Sequence, residues 1–276
     1  MGEVPIRTRL GLSVAVATCW TSSLGAQTVK EVRAERVWSL QGLRAGYCVR
    51  FLMNPKAATG ELKNGFLLLR ADQDTTLHAA LRHVVQTQPE FADWAPSNIC
   101  FYYTDAVQVG GRRIVEKNPH NAQMIGIWSL ATLEQGSGVR RDLVLDMYAS
   151  RERLRTAAAE NLVLLHEVEA GFRAPTDTSG TEYRQSIGKT NLVWIGRTAG
   201  DSTRVEAPIV ETWEVPGVRG VTWSAQLALS PAWSRLLVGS LRVEGKGDLA
   251  KALKASPIRF VGPFYRGGDG QLRFSR

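Results

Sequence analysis

The feature that most constrains the fold is a short stretch, residues 221–229, in which apolar and polar side chains alternate. The apolar residues occupy every second position: Val221, Trp223, Ala225, Leu227 and Leu229. Successive side chains of a β-strand point to opposite faces, so this pattern predicts a strand with one buried face and one solvated face. Because such a strand needs partners in a sheet, this part of the chain is predicted to adopt a β fold.

Further strand-like runs follow the same rule across residues 189–276. They occupy residues 192–195, 205–215, 236–243, 258–264 and 271–274. Residues 248–254 predict a short helix, and the glycines around Asp269 predict a closing hairpin between the last two strands. Short strands separated by turn signals are typical of an all-β sandwich or small barrel. We therefore expect an all-β domain at 189–276.

The earlier part of the chain mixes helix and strand signals. Strands are predicted at residues 47–53 and 98–104, a hairpin at 106–116, and a strand pair at 124–133 and 142–148. Leu77, Leu81, Val84 and Val85 recur at the spacing of one helix face. Residues 27–43 are charged and predict a surface lead-in with a short helix at 32–37.

Residues 150–170 fit either a helix or a buried strand. Residues 171–188 concentrate Pro, Gly, Ser, Thr and Asp, so we interpret them as a linker. The predicted fold class is therefore α+β and β-rich. Its domains are a mixed α+β part at 27–170 and the all-β part at 189–276.

Residues 1–26 have the pattern of a secretory signal peptide. Arg7 and Arg9 precede an apolar run at 10–20, and small residues follow up to Ala26. The apolar run is shorter than a spanning helix requires. A short buried helix, a membrane anchor and acylation of Cys19 are the alternatives. We expect a periplasmic or secreted protein, located peripherally on a membrane if it docks there.

The two remaining cysteines are predicted to form a disulfide. Cys48 and Cys100 each lie on a predicted strand, off the face that carries the neighbouring apolar residues. An even number of cysteines in an oxidising compartment favours pairing. The sequence therefore predicts a Cys48–Cys100 bond between corresponding faces of two strands.

The net charge favours anionic partners. It is +8 for the full chain, and removal of Arg7, Arg9 and Glu3 with the signal leaves +8 − 2 + 1 = +7. An acidic protein face, a membrane complex, an anionic lipid surface or a glycan would suit this charge. The basic residues are scattered and form no basic arm or helix, so nucleic acid is not an expected partner.

No complete catalytic, cofactor or metal motif is present in the sequence. Gly200-Asp201-Ser202 resembles the Gly-Asp-Ser block of one hydrolase family, but all four histidines precede it, so we interpret it as a turn. His78 and His83 are five residues apart, which places them on different sides of a helix. Gly188-Lys189-Thr190 lacks the earlier glycine of a phosphate-binding loop. Catalytic carboxylates stay open, with Asp105, Asp142 and Asp146 as candidates.

Tryptophans are the remaining candidates for a binding surface. Trp213 and Trp223 lie on the apolar faces of their strands and are expected in the core. Trp194 and Trp233 could stack on sugar rings. From these observations we expect an exported, non-catalytic binding or structural protein, an accessory subunit docked on an envelope or membrane complex. The alternatives are a carbohydrate-binding protein that uses Trp194 and Trp233, and a secreted hydrolase.

Overall fold

The computed structural model confirms a β-rich α+β fold. It describes residues 36–109, 112–115, 123–150, 154–156, 166–167, 181–217 and 221–275, and these belong to one compact unit. The structure is 62% strand and 16% helical, with one large mixed sheet. The predicted signal peptide at 1–26, Cys19 and most of residues 150–180 lie outside the described residues.

The elements follow one another with short connections. The helices are α1 (Pro55–Glu61), α2 (Ala79–Thr87) and α3 (Asp248–Ala255), and a 3-10 helix covers Pro89–Phe91. The strands are β1 (Arg36–Met53), β2 (Phe66–Leu68), β3 (Ala95–Val109), β4 (Arg112–Val115), β5 (Gln123–Glu134), β6 (Arg140–Ala149), β7 (His166–Glu167), β8 (Thr181–Ile187), β9 (Thr190–Arg204), β10 (Ile209–Pro216), β11 (Thr222–Ser230), β12 (Trp233–Gly245), β13 (Arg259–Val261), β14 (Phe264–Arg266) and β15 (Asp269–Ser275).

Part of the sheet closes into a ring. The order β3, β5, β6, β10, β11, β15, β1 returns to β3, because β1 pairs with β15 on one side and with β3 on the other. The neighbours in this ring are antiparallel except β6 and β10, which run parallel and are joined where Leu143 meets Glu214. Beyond β1, the sheet continues through β14, β12 and β9 to β8.

The interior of the ring is the larger part of the hydrophobic core. One buried cluster takes residues from every strand of the ring, so these side chains must point inward. It includes Trp38, Leu40, Trp213, Trp223 and Phe274. On β11 the observed burial alternates along the strand as the sequence predicts.

A second cluster covers the outer face of β1, β3 and β5. Val49, Phe51 and Phe101 pack there against Leu249 and Leu253 of α3. This arrangement explains why β1 and β3 are apolar on both faces, since one face lies in the ring and the other lies under a helix.

The expected surface lead-in at residues 27–43 is wrong for its described part. β1 begins at Arg36, and the side chains of Trp38 and Leu40 are buried at 0% and 1% exposure. Gly42 adopts φ 64°, and the pairing with β3 shifts between Leu43 and Ala45, so a bulge bends the strand there. This bulge allows one strand to follow a closed ring and then continue to Met53.

The predicted parts at 27–170 and 189–276 share one sheet. β15 lies between β11 and β1, so neither part completes the ring without the other. The predicted closing hairpin is also absent among the described residues, because β14 pairs with β1 and β12 whereas β15 pairs with β1 and β11. The linker predicted at 171–188 contains β8, which pairs with β9.

Helix α2 closes over one edge of the ring. Leu81 is buried on its inner face, with Val84 and Val85 partly buried beside it, and Leu77, just before the helix, joins the same cluster. The helix begins at Ala79, because the Nδ1 atom of His78 accepts a hydrogen bond from the Ala80 amide at 3.2 Å and caps it. This capping places His78 above the interior of the ring.

Among the described residues, no helix is both long enough and apolar enough to cross a membrane.

Candidate active site

Two neighbouring strands direct polar side chains into the ring on the face that carries the cysteines. Arg50 lies two residues after Cys48 on β1, and Tyr102 lies two residues after Cys100 on β3. Every second residue of a strand points the same way, so each pair shares one face. The register places Cys48 opposite Cys100, and these side chains therefore converge.

Glu211 on β10 completes this group. It lies on the face of Trp213 and Val215, whose side chains are buried in the ring. The hydroxyl of Tyr102 donates a hydrogen bond to Oε2 of Glu211 at 2.9 Å. Burial raises the pKa of the Glu211 carboxyl, against the opposing effects of the Tyr102 hydrogen bond and the Arg50 charge. Such a carboxyl can act as a general acid or base.

Tyr102 holds the proton of this hydrogen bond. Its side chain is buried at 4% exposure, and burial, followed by the charge and hydrogen bond of Glu211, raises the pKa of its phenol. The phenol therefore stays protonated and acts as the donor, which orients the Glu211 carboxyl in the interior.

The structure brings Cys48 and Cys100 together in a disulfide. The S–S distance is 2.07 Å and the Cα atoms are 4.0 Å apart. The Sγ atom of Cys100 lies 3.8 Å from Oε2 of Glu211, and the Sγ atom of Cys48 lies 4.0 Å from Oε1. The sulfur atoms of the disulfide thus lie directly against the Glu211 carboxyl.

Arg50 is the cation of the site. Its guanidinium makes no hydrogen bond or ion pair with the part of the chain that the structure describes, although its charge acts on Glu211, Tyr102 and Asp142. A Cβ atom at Gly262 would come within 3.0 Å of Nη1 of Arg50. The glycine therefore leaves the room that the guanidinium occupies.

A fixed ion network borders Arg50. The Arg140 guanidinium lies 2.9 Å from Oδ2 of Asp142 and 3.3 Å from Oδ2 of Asp74. Asp74 also accepts hydrogen bonds from the amide and hydroxyl of Thr76. Burial raises the pKa of the Asp142 carboxyl despite Arg140, while the pKa of Arg140 is also raised, because its two carboxylates outweigh the effect of burial. Arg140 therefore holds the carboxylates of Asp142 and Asp74 together beside the cavity.

His78 is another neighbour of Arg50 in the site. Its ring stacks on Phe260 with centroids 4.3 Å apart, and burial followed by the charge of Arg50 lowers its pKa. Because Nδ1 accepts the capping hydrogen bond, the proton of the neutral imidazole is on Nε2. His78 is thus a neutral hydrogen-bond donor in the site.

A cavity of about 190 Å³ lies next to Arg50, His78 and the Arg140 ion network, whereas Glu211 and Tyr102 are not among its lining residues. An engineered cavity of about 150 Å³ holds a benzene-sized molecule, so this space suits a small organic substrate. Its polar lining residues are Arg50, Asp74, Thr76, His78, Ser97, Asn98, Arg140 and Asp142. A second cavity, of about 330 Å³, follows the β6–β10 junction and shares Arg140 and Asp142 with the first.

The described part of the chain contains no lysine that is suited to form an imine with the carbonyl group of a substrate. All of its lysines, at positions 56, 63, 189, 246, 251 and 254, are exposed. A lysine nucleophile that forms a Schiff base needs a desolvated or cation-flanked position to lose its proton. The chemistry of this site therefore depends on Glu211, Tyr102 and Arg50.

The tryptophans predicted as a binding platform are not brought together. Trp233 is 48% exposed, whereas Trp194 is partly buried and packs against the outer core cluster. Trp194 pairs with Leu241, which lies eight residues after Trp233 on β12, a distance of roughly 26 Å along a strand. One sugar ring cannot contact both residues.

The other sequence candidates fall in different places. Gly200-Asp201-Ser202 lies inside β9 and is not a separate turn. Of the open carboxylates, Asp142 lines the cavity, whereas Asp105 pairs with Arg44 at the surface. Although the sequence predicts no metal site, Cys48, Cys100 and Glu211 each offer a donor atom within 4.8 Å of the others.

Sequence reasoning missed Arg50, Tyr102 and Glu211, although a signal was present. Glu211 lies between Ile209 and Trp213 on the apolar face of its strand, which is an unusual position for a charge. Arg50 and Tyr102 share the inward faces of the cysteines. A charged residue at an inward position of a predicted strand is a sign of a functional site.

Comparison with known proteins gives distant structural similarity. No family model and no curated protein matches the sequence. Acetoacetate decarboxylase from Legionella pneumophila subsp. pneumophila str. Philadelphia 1 is 9% identical over 86% of this chain and 84% of its own, with a TM-score of 0.48. The enduracididine biosynthesis enzyme MppR complexed with pyruvate is 10% identical over 88% and 89%, with a TM-score of 0.44. An acetoacetate decarboxylase-like enzyme from Sphingomonas wittichii RW1 is 11% identical over 88% and 91%, with a TM-score of 0.43.

The proteins in these comparisons are named as enzymes, which does not agree with the expected non-catalytic binding or structural protein docked as an accessory subunit, or with the alternative of a carbohydrate-binding protein. The activities in those names belong to those proteins, and the activity of this chain has to come from its own residues.

Proposed function

We propose that this protein is an enzyme that transfers a proton at a carbon atom next to the carbonyl of a small organic acid. The observation that carries the proposal is the guanidinium of Arg50, which has no hydrogen-bond or ion-pair partner among the described residues, near a carboxyl that a buried phenol holds in place. Arg50 lines the small cavity, and its charge acts on the Glu211 carboxyl.

Arg50 is suited to bind the carboxylate of the substrate. A guanidinium offers paired N–H donors that match the two oxygens of a carboxylate. Arg50 is partly buried and has no partner within the described ranges, so it retains these donors for a ligand. The volume of about 190 Å³ limits that ligand to a small acid.

Glu211 is suited to move the proton. As a carboxylate it takes a proton from the carbon beside the carbonyl, and the electron pair of the C–H bond passes to the carbonyl oxygen as an enolate. The positive charge of Arg50 opposes the negative charge that develops. Return of the proton from Glu211 to the carbon restores the keto acid or gives the rearranged product.

The neutral imidazole of His78 and the Arg140–Asp142 pair support this reaction. The Nε2–H of His78 can donate a hydrogen bond to a carbonyl oxygen without adding a charge. Arg140 is held by the carboxylates of Asp142 and Asp74, so Arg50 is the cation of the cavity that has no carboxylate partner among the described residues. This arrangement favours an enolate over a neutral intermediate.

Deuterium exchange tests the proposal directly. The full-length protein is incubated in D₂O with short-chain 2-oxo and 3-oxo acids, and loss of the C–H signal next to the carbonyl is followed by proton NMR. We expect exchange with at least one acid, and Glu211→Gln should slow it by about 10²–10⁴-fold, the usual contribution of a general base.

Glu206→Gln is the matched control, because Glu206 is an exposed carboxylate shortly before β10. This variant should exchange at the wild-type rate. Exchange that survives unchanged in Glu211→Gln, or the lack of exchange with every acid tested, contradicts the proposal.

A further inference from the structure

We infer that the reduced protein has a binding site for a thiolate-preferring divalent metal ion such as Zn²⁺, formed by Cys48, Cys100 and Glu211. This site is distinct from the proton-transfer function, because it requires an open disulfide and no organic substrate. It would place a metal where the oxidised protein has an acid–base carboxyl.

The donor atoms already have suitable separations. In a tetrahedral zinc site with Zn–S of about 2.3 Å and Zn–O of about 2.0–2.2 Å, a sulfur and an oxygen ligand are roughly 3.5 Å apart. The observed sulfur–oxygen distances at Glu211 are 3.8 Å and 4.0 Å. The carboxyl therefore needs little movement to become a ligand.

Only the sulfur atoms have to separate. They are bonded to each other in the disulfide, and two sulfur ligands of one tetrahedral zinc ion are roughly 3.8 Å apart. Opposed residues in an antiparallel pair have Cβ atoms about 4.5–5.5 Å apart, which permits this separation without a shift of the strands. Side-chain rotation after reduction is sufficient.

The surroundings favour the bound state. Tyr102 donates a hydrogen bond to Glu211, and such contacts outside the ligands fix the orientation of a metal-bound carboxylate. Two thiolates and one carboxylate carry three negative charges, so the complex with a divalent ion keeps one. Arg50 lies two residues from Cys48 on the same face and compensates this charge.

Formation of the metal site takes two steps, reduction of the disulfide and release of the two thiol protons. A trialkylphosphine and one water reduce the disulfide, which gives two thiols and the phosphine oxide. Both thiols then lose their protons to solvent as the metal binds. One position of the tetrahedron remains for water, as in zinc sites with three protein ligands.

Cobalt binding is the test. The full-length protein is treated with a trialkylphosphine, freed of it without air, and titrated with Co²⁺, and thiolate-to-cobalt charge-transfer absorption is recorded. We expect saturation at one cobalt per chain and displacement of the cobalt by Zn²⁺. The oxidised protein should show no such band.

Three variants distinguish this site from other donors in the chain. Cys19→Ser should bind cobalt as the wild type does. Cys48→Ser and Glu211→Gln should each weaken cobalt binding at least about 100-fold, because changing even the residues that hydrogen-bond to metal ligands lowers metal affinity 10–100-fold. Glu211→Gln retains both thiols, so the proposal stays testable if Cys48→Ser does not fold. Wild-type affinity in Glu211→Gln, or the lack of a one-to-one cobalt band in the reduced protein, overturns the inference. Because no substrate is present, this outcome is independent of the deuterium exchange experiment.

Discussion

Two parts of the ring interior are built from the same strands but contain different side chains. Around Trp38 and Phe274 the interior is apolar, with ring centroids 5.1 Å apart and both residues at 0% exposure. Around Arg50 and Glu211 it carries charges, a phenol and a cavity. The strand geometry is common to both parts, so the difference lies only in which side chains occupy the inward positions.

The two parts of the ring interior contribute differently, one to stability and the other to chemistry. The apolar part buries large side chains and contributes to the free energy of unfolding. The polar part keeps a cation that has no partner in the described part of the chain and a carboxyl that is largely removed from water, both of which cost stability. Substitutions in the first part should therefore change stability, and substitutions in the second should change activity.

The largest effect is expected in the apolar part. Phe274→Ala removes a fully buried ring and leaves a cavity, so the free energy of unfolding should fall by about 3–5 kcal/mol. Urea unfolding followed by tryptophan fluorescence measures it. Val210→Ala is the control, because Val210 is 55% exposed and should change stability by no more than about 0.5 kcal/mol. A loss at Phe274 as small as that at Val210 would show that the ring is not packed as described.

Arg50→Ala should have the next largest effect, and we expect this effect on activity rather than on stability. Loss of a charge-assisted contact of about 1.5–3 kcal/mol should raise KM for the acid by roughly 10–100-fold. Steady-state kinetics measures KM and kcat separately. Arg44→Ala, which removes a surface arginine paired with Asp105, should leave KM unchanged. An unchanged KM in Arg50→Ala would assign substrate binding to another residue.

Tyr102→Phe should have a smaller effect on the reaction. It removes the hydrogen bond to Glu211 while the ring keeps its packing, and a hydrogen bond to a charged group contributes about 1.5–3 kcal/mol. The hydrogen bond stabilises the complex with bound substrate as well as the transition state, so only part of its energy affects the rate. The exchange rate should therefore fall by no more than about tenfold. NMR exchange rates check this, and Tyr103→Phe, on the opposite face of β3, is the control. Equal effects of the two changes would argue against a role for the Tyr102 hydroxyl.

The smallest effect should be a change in the pH dependence of stability. The pKa of His78 is lowered from 6.5 by burial and then by Arg50, so the unfolded chain takes up this proton at a higher pH than the folded protein. The free energy of unfolding therefore rises with pH between the lowered pKa of His78 in the folded protein and 6.5. Below that range the full destabilisation is present. His78→Asn, which can still cap α2, should gain stability relative to the wild type at low pH and not above 6.5.

Urea unfolding at several pH values measures this difference. His83→Asn, on the exposed side of the same helix, is the control and should follow the wild type at each pH. If His78→Asn and the wild type show the same pH dependence, His78 does not act through its protonation state.

Local sequence patterns predicted much of the secondary structure. Alternation located β11, and the helical spacing of Leu77, Leu81 and Val84 located the buried face of α2. The chain around 27–43 was misinterpreted because its charged residues concealed Trp38 and Leu40 on alternate positions. Contacts between distant segments, such as β15 with β1, leave no local pattern in one sequence, so closure of the ring was not predictable.

The candidate site was only partly accessible from the sequence. The alternation placed Cys48 and Cys100 on corresponding faces of two strands, and Arg50 and Tyr102 belong to the same faces. The proximity of Cys100 and Tyr102 to Glu211 was not visible, because these residues are 111 and 109 positions from it in the chain and meet it only through the ring. The cluster of Cys48, Cys100 and Glu211 was overlooked for the same reason, since these residues follow no metal-ligand spacing along the sequence.

The position of β15 between β11 and β1 also governs how the protein can reach its native state. During synthesis, β1 emerges first and has to wait for β15, over two hundred residues later, before it gains its second neighbour. Until then two strand edges are unprotected, and pairings of such high contact order form slowly. A nascent chain of this topology benefits from a chaperone that shields those edges until synthesis ends.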